Sequence, residues 1–163
     1  MTHHIAVDNQ QAGVVLPRGY KSVIRRAASL TLSASNFDKR AEIGVTLVSP
    51  EEIRRLNLTH RKVDRPTDVL SFPLVTDPFH PSPEDLYRGS VSLGDVIVCP
   101  EVIREQANSF HVSFMEELSR MVIHSVLHLL GWDHAEKDEE KEMFALQEKI
   151  LSELKRENEK AGV

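Results

Sequence analysis

One segment of the chain, residues 121–130, is apolar on almost every side and yet carries two histidines. Its apolar members are Met121, Val122, Ile123, Val126, Leu127, Leu129 and Leu130. A helix with apolar residues all round is buried, so this helix is expected at the centre of the domain with other elements packed around it. Burying an unpaired imidazole costs roughly 1–3 kcal/mol, so two histidines on one buried stripe each need a polar partner.

The spacing of the histidines indicates what that partner is. Residues four apart lie on one face of a helix, so His124 and His128 can point at a single metal ion. Gly131 can end the helix in the left-handed conformation, and the chain can then turn to bring His134 to the same ion. Three protein ligands with an open position are typical of catalytic zinc. The alternative is that these histidines are ordinary packed residues, which the joint pattern disfavours.

We therefore predict one zinc ion per chain, held by His124, His128 and His134. Three imidazoles also suit nickel, copper or iron. Closed structural zinc sites are usually rich in cysteine, and Cys99 is the single cysteine of the chain, which excludes a site of that kind. Cys99 itself is interpreted as a small buried side chain.

The same histidine spacing occurs in the long zinc-protease motif H-E-x-x-H-x-x-G-x-x-H. The general base of those proteases is the glutamate after the first histidine, and here that position is Ser125. A serine cannot exchange a proton near neutral pH, so peptide cleavage by that route is excluded. Hydrolysis of another substrate remains open, because a metal can activate water without such a base.

The length and composition predict a single enzyme domain over residues 1–163. Neither a signal peptide nor an apolar stretch of about 20 residues is apparent, and one cysteine suits a reducing cytoplasm. The formal net charge of −5 argues against binding nucleic acid through bulk charge, although a local basic patch can still hold phosphates. Basic clusters occur at residues 25–26, 54–55 and 61–65.

Alternating strand and helix patterns predict an α/β (α+β sandwich) fold, with a small mostly parallel or mixed sheet of about four strands packed by about five helices. The central buried helix, capped by Ser113, carries the metal site. Strands are expected near 5–7, 41–48, 69–72 and 90–98. Helices are expected from Pro17 at a first-turn position, from 49 to 60, from 100 to 108, through 121–130, and over 138–160. Residues 76–89 are predicted to be a proline-bearing loop.

A second polar cluster surrounds the short strand at 69–72. Arg61 stands out there, because a guanidinium is always charged and its planar fork of donors suits phosphate oxygens. Next to a metal site it would orient or stabilise a phosphodiester. From the residues alone, an ion pair with Asp64 or Asp68 is an equal alternative.

Three motifs together resemble the bacterial YbeY family of metal-dependent endoribonucleases. They are the run His124–His134, the segment from Arg61 through Pro66-Thr67-Asp68-Val69-Leu70-Ser71-Phe72-Pro73, and Leu93-Gly94-Asp95-Val96 with Glu101 and Gln106-Ala107. The match covers roughly residues 40–150. The family usually has glycine where this chain has Ser125 and tyrosine where it has Trp132, which affects only the fine shape of the cleft.

The resemblance implies a single-strand-specific endoribonuclease that acts in the cytoplasm on the 3′ end of small-subunit ribosomal RNA and in ribosome quality control. It implies catalytic roles for His124, His128, His134 and Arg61, with the three histidines binding zinc. The expected partners are single-stranded RNA, ribosomal RNA and the small ribosomal subunit, not DNA or a membrane. Two alternatives remain: a ribosome-assembly factor whose metal is structural, and a zinc hydrolase of another substrate class.

Overall fold

The computed structural model describes residues 2–133 and 135–162. Five α-helices and five strands occur in this part of the chain, where the sequence patterns predict about five helices and about four strands. In chain order they are β1 (His4–Asn9), α1 (Tyr20–Ala34), β2 (Arg40–Leu47), α2 (Pro50–Arg61), β3 (Val69–Pro73), β4 (Leu86–Tyr87), β5 (Ser90–Val98), α3 (Pro100–Phe110), α4 (Phe114–Leu129) and α5 (Lys137–Lys160).

The strands form one mixed sheet in the order β1-β2-β5-β3. β1 pairs parallel with β2 and β2 parallel with β5, whereas β3 runs antiparallel to β5. The two-residue strand β4 pairs antiparallel with the start of β5. The α/β class, the mixed sheet and the number of helices are confirmed.

The sheet buries its two faces unequally. Successive side chains of a strand point to opposite faces, and in β2 every second residue is buried. The buried set Ala41, Ile43, Val45 and Leu47 belongs to the main core, together with residues of α1, α4 and α5. A smaller cluster unites Val48, Ile53, Leu70 and Cys99 around α2, on the opposite face from α4.

Helix α4 is the central element, as its apolar sequence predicts. It contacts α1, α3, α5, β3 and β5. Ser113 caps its N-terminus, where the side chain accepts a hydrogen bond from the Glu116 N–H at 3.1 Å. At its other end Gly131 has φ 103°, and the Trp132 N–H donates to the Leu127 carbonyl at 3.0 Å. Gly131 therefore ends the helix in the predicted way, by a left-handed turn.

Two local predictions were wrong. Helix α1 begins at Tyr20 instead of Pro17, because Gly19 in the left-handed conformation (φ 87°) starts it and the Pro17 carbonyl only accepts from the Tyr20 N–H. Residues 76–89 are not all loop, since they contain a 3₁₀ turn at Pro83–Asp85 and strand β4. Within the described residues, no helix is both long and apolar enough to cross a membrane.

Candidate active site

The two described histidines of the predicted metal site face each other on α4. Their Nε2 atoms lie 3.1 Å apart, and the rings meet nearly at right angles, with centroids 4.6 Å apart. Both side chains are only half-buried. The one-turn spacing of His124 and His128 therefore brings two imidazole nitrogens to one point, as the sequence predicts.

The outer nitrogen of each ring contacts a carbonyl-type oxygen. His124 Nδ1 lies 2.8 Å from Gln147 Oε1 of α5, and His128 Nδ1 lies 2.7 Å from the Trp132 carbonyl. The orientation of the Gln147 amide is set by its other end, where Nε2 donates to Glu148 Oε2 at 3.3 Å. Since both oxygens can only accept, each Nδ1 is the donor, and the lone pair of each neutral imidazole lies on Nε2.

This arrangement fits a bound cation. Both Nε2 atoms are near enough to each other to act as ligands of one positive ion. The 3.1 Å separation is close to the edge of a zinc tetrahedron, about 3.3 Å for Zn–N bonds of about 2.05 Å. Carbonyl partners on the outer nitrogens are what metal-binding histidines ordinarily have, because such partners fix the tautomer and the ring orientation.

The third predicted ligand, His134, lies outside the described residues. Among the residues that are described, no group of three or more His, Cys, Asp and Glu side chains is placed to hold a metal ion. The described pair would supply two ligands, and the three-histidine set stays a prediction. Asp133 lies at the cleft wall, where its backbone N–H donates to Glu139 Oε1 at 3.0 Å.

A cleft of about 590 Å³ extends from the histidine pair towards α2 and β3. We call this cavity the cleft. Its walls come from four parts of the chain, and the lining residues are Arg61, Asp68, Val69, Ser71, Pro73, Met121, His124, His128, Gly131, Trp132 and Asp133. The structure thus brings Arg61 into one cavity with His124 and His128, although more than sixty residues separate them in sequence.

Arg61 is exposed at the end of α2, and its Nη2 lies 3.4 Å from the Ser71 carbonyl of β3. The alternative ion pairs are not its contacts here. Asp64 instead pairs with Arg54 at 2.8 Å, and this guanidinium holds the pKa of the Asp64 carboxyl below its ordinary value. The Asp68 carboxylate accepts from the Val69 N–H and from Gln106 Nε2. A guanidinium has five donors, so one long contact to Ser71 leaves it suited to a phosphate in the cleft.

The sequence motifs meet around this cleft. Asp68 accepts a hydrogen bond from Gln106 of α3 at 3.2 Å, which joins the segment 66–73 to α3. Gly94 of β5 lies so close to β3 that an added Cβ would be 2.2 Å from the Phe72 carbonyl oxygen. The segment 66–73 therefore lines the cleft, and the motif at 93–107 packs against this segment without lining the cleft itself.

Sequence reasoning missed Gln147, which contacts His124. Gln147 is 5% exposed and follows Met143 by four residues on the buried side of α5. The signal that could have identified it is a polar residue on an otherwise apolar helical stripe.

Two further buried groups lie outside this contact. Ser125 Oγ has no hydrogen-bond partner among the described residues, and Cys99 is fully buried, as predicted, with burial raising the pKa of its thiol.

Comparison with known proteins identifies the family. The profile of the family described as Endoribonuclease YbeY matches residues 6–155. A protein of that name from Clavibacter sepedonicus is 42% identical over 129 residues, covering 79% of this chain and 83% of the relative. One from Alkaliphilus metalliredigens is 37% identical over 152 residues, covering 92% and 94%. A solution structure of a Thermotoga maritima protein has a TM-score of 0.61 and 33% identity, covering 96% of this chain and 93% of that one. This chain therefore belongs to the YbeY endoribonuclease family.

Proposed function

We propose that this protein is a zinc-dependent, single-strand-specific endoribonuclease. Its cellular substrate in this proposal is ribosomal RNA of the small subunit, cut in late maturation at the 3′ end and in ribosome quality control in the cytoplasm. The endoribonuclease part is supported by the names of the relatives. The ribosomal part rests on the family resemblance of the three motifs.

The observation that carries the catalytic proposal is the convergence of His124 Nε2 and His128 Nε2 at 3.1 Å beside Arg61 in one cleft. We assign His124, His128 and His134 as metal ligands. These three nitrogens would hold a zinc ion with one position open, and the bound metal would supply Lewis-acid chemistry and activation of water. Nickel or another transition metal would fit the same donors.

The chain's own residues bind and orient the phosphodiester. Arg61 would pair two N–H groups with two phosphate oxygens, a geometry that only a planar guanidinium offers. Gln147 and the Trp132 carbonyl keep Nδ1 of each histidine protonated and so keep Nε2 available. Asp68 holds the loop before β3 against α3 through Gln106, which maintains the wall from which Arg61 acts.

The test compares His128→Ala and Arg61→Glu with the unmodified protein, measuring metal content and cleavage of single-stranded and duplex RNA. His128→Ala is expected to lose metal and cleavage together. Arg61→Glu is expected to keep its metal and lose cleavage about 10²- to 10³-fold, as enzymes do on losing one donor to a developing negative charge.

Two matched controls exclude a general effect of the substitutions and a contaminating nuclease. His80→Ala removes an exposed histidine, and Arg156→Glu makes the same charge change on α5 away from the cleft lining. Both should cut RNA at the unmodified rate. Cleavage that persists in folded, metal-free His128→Ala would reject the metallonuclease and favour a ribosome-assembly factor, and normal cleavage by Arg61→Glu would remove Arg61 from the mechanism.

A further inference from the structure

A second pocket lies on the other side of the histidine pair, between α4 and α5. Its volume is about 680 Å³. Its lining residues are Met121, His124, Lys137, Glu140, Lys141, Met143, Phe144 and Gln147, and we call it the α5 pocket. Met121 and His124 also line the cleft, so the two cavities adjoin across these two side chains.

The α5 pocket differs chemically from the cleft. Its base and walls are mostly apolar, with Met121 and the buried Met143 beside the ring of Phe144. Phe144 is 61% exposed and lines the pocket, so the fold does not depend on this ring for packing in the way it depends on the buried Met143. An accessible aromatic ring beside an apolar cavity is suited to stacking with a planar ring of a ligand.

The rim of the pocket is charged. Lys137 and Lys141 are exposed and four residues apart, so they lie on the same face of α5 as neighbours. Ammonium groups at this spacing suit the phosphates of a nucleic-acid backbone. Glu140 is also exposed and lies beside Lys141, so its charge partly offsets that of the lysines, whereas its carboxylate can accept from the amino group of a base. Two lysines against one glutamate leave a net positive charge for phosphates, and the apolar lining suits a base.

We propose that the α5 pocket binds one unpaired nucleobase of the RNA strand, next to the phosphodiester held in the cleft, by stacking on Phe144. This inference rests on the proposed function. A base reaches such a pocket only when it is not paired and stacked in a helix, and sequence-tolerant stacking on aromatic side chains is the usual way of holding single strands. The pocket would thus be the origin of single-strand selectivity.

The test measures RNA binding and cleavage separately for Phe144→Leu and Phe144→Tyr. Binding is followed by fluorescence anisotropy of a short labelled single-stranded RNA in the presence of a chelator. Phe144→Leu should weaken binding about 5- to 50-fold, the lower part of the range for losing one stacked base, and should raise KM with a smaller change in kcat. Phe144→Tyr keeps a stacking ring and should bind as the unmodified protein does.

Phe110→Leu is the matched control, since Phe110 is 62% exposed at the end of α3 and lines neither cavity. An RNA with one abasic nucleotide beside the cleavage point adds a double-mutant cycle. On that RNA, Phe144→Leu should bind as tightly as the unmodified protein, because the base that would stack on Phe144 is missing. On ordinary RNA, Phe144→Leu should show a smaller preference for single strands over duplex than the unmodified protein does. Equal binding by Phe144→Leu and Phe110→Leu would overturn the proposal. If the unmodified protein does not cut RNA at all, the proposed function itself fails, which is a separate result.

Discussion

The two sides of α4 hold the site in different ways. On the sheet side, contact is close and mainly apolar: Leu129 packs near Gly94 of β5, and the Ser125 carbonyl accepts from Ser71 Oγ at 3.4 Å. On the α5 side the apolar core continues through Met143, Ile150 and Leu154. The contacts next to the site are polar there, because Arg120 and His124 form hydrogen bonds with Glu148 and Gln147. The sheet side sets where the histidines stand, and the α5 side orients the ring of His124 through Gln147, whereas the Trp132 carbonyl after α4 orients the ring of His128.

The polar side is one connected network. Arg120 donates to Glu117 Oε1 at 2.6 Å and to Glu148 Oε2 at 3.1 Å. Glu148 accepts from the Gln147 amide, whose oxygen contacts His124 Nδ1. Glu117 is almost fully buried, and a buried charge is tolerated only when paired. The ion pairs between α4 and α5 therefore also hold the amide that orients a proposed metal ligand.

The largest expected effect comes from breaking the sheet side with Gly94→Ala. The new Cβ would lie 2.2 Å from the Phe72 carbonyl oxygen and 3.0 Å from Leu129 Cδ2, at a φ of 142°. Because the first of these atoms is backbone, the β3–β5 pairing has to shift. We expect a loss of about 3 kcal/mol or more in the free energy of unfolding, measured by urea denaturation.

Gly89→Ala is the control for a positive φ without a steric clash. Gly89 also has positive φ, at 79°, but nothing lies within 4 Å of its added Cβ. Its loss should stay near about 1 kcal/mol, the cost of a left-handed residue. Equal losses in the two variants would show that conformation, and not the close approach of β3, is what Gly94 provides.

The sheet side was predictable from the sequence to a greater extent than the α5 side. Alternation of apolar residues located β2, and the apolar segment with its Gly131 terminus located the end of α4. Such patterns predict which residues are buried, because the spacing of apolar residues follows the period of the helix or strand. Strand β4 was not predicted, because a strand of two residues is too short to show a period.

In the candidate site, too, some contacts could be predicted from the sequence and others could not. The i, i+4 spacing correctly predicted that His124 and His128 meet, because one helix determines that distance. The contact of Gln147 with His124 depends on how α5 crosses α4, which no local pattern encodes. Likewise, the sequence left three possible partners for Arg61, namely a phosphate, Asp64 and Asp68. In the folded chain Asp64 pairs with Arg54, and Asp68 accepts from Gln106. Contacts between two separate elements could therefore be identified only from the structure.

A substitution at Gln147 on the α5 side tests what orients the ring of His124, and it leaves the position of His124 on α4 unchanged. Gln147→Leu keeps the volume but removes the oxygen that accepts from His124 Nδ1. Loss of such a partner typically lowers metal affinity 10- to 100-fold, and we expect that range here, measured by competition with a chromophoric zinc chelator. Gln147→Glu restores an acceptor and should recover most of the affinity. Unchanged affinity in Gln147→Leu would mean that packing alone orients the ring.

The smallest expected effect concerns Glu116 and Lys155 at the far end of the same interface. Lys155 Nζ lies 2.7 Å from Glu116 Oε1, and this hydrogen bond, with Arg120 nearby, lowers the pKa of Glu116. A carboxyl whose pKa is lower in the folded state stabilises the protein above its unfolded pKa, and the contribution is lost as the pH falls through the folded value. Lys155 is 54% exposed, so solvent screens the pair and the contribution should be about 0.5 kcal/mol.

Lys155→Met should therefore lower the free energy of unfolding slightly near neutral pH, and the difference from the unmodified protein should shrink as the pH falls below about 4. Urea titrations of both proteins across that range measure it. At neutral pH the zinc affinity of Lys155→Met should equal that of the unmodified protein, because Arg120 still has Glu117 and Glu148 as partners and the path to Gln147 is intact. A drop in affinity as large as that of Gln147→Leu would mean that the whole α4–α5 interface, and not one amide, sets the orientation of His124.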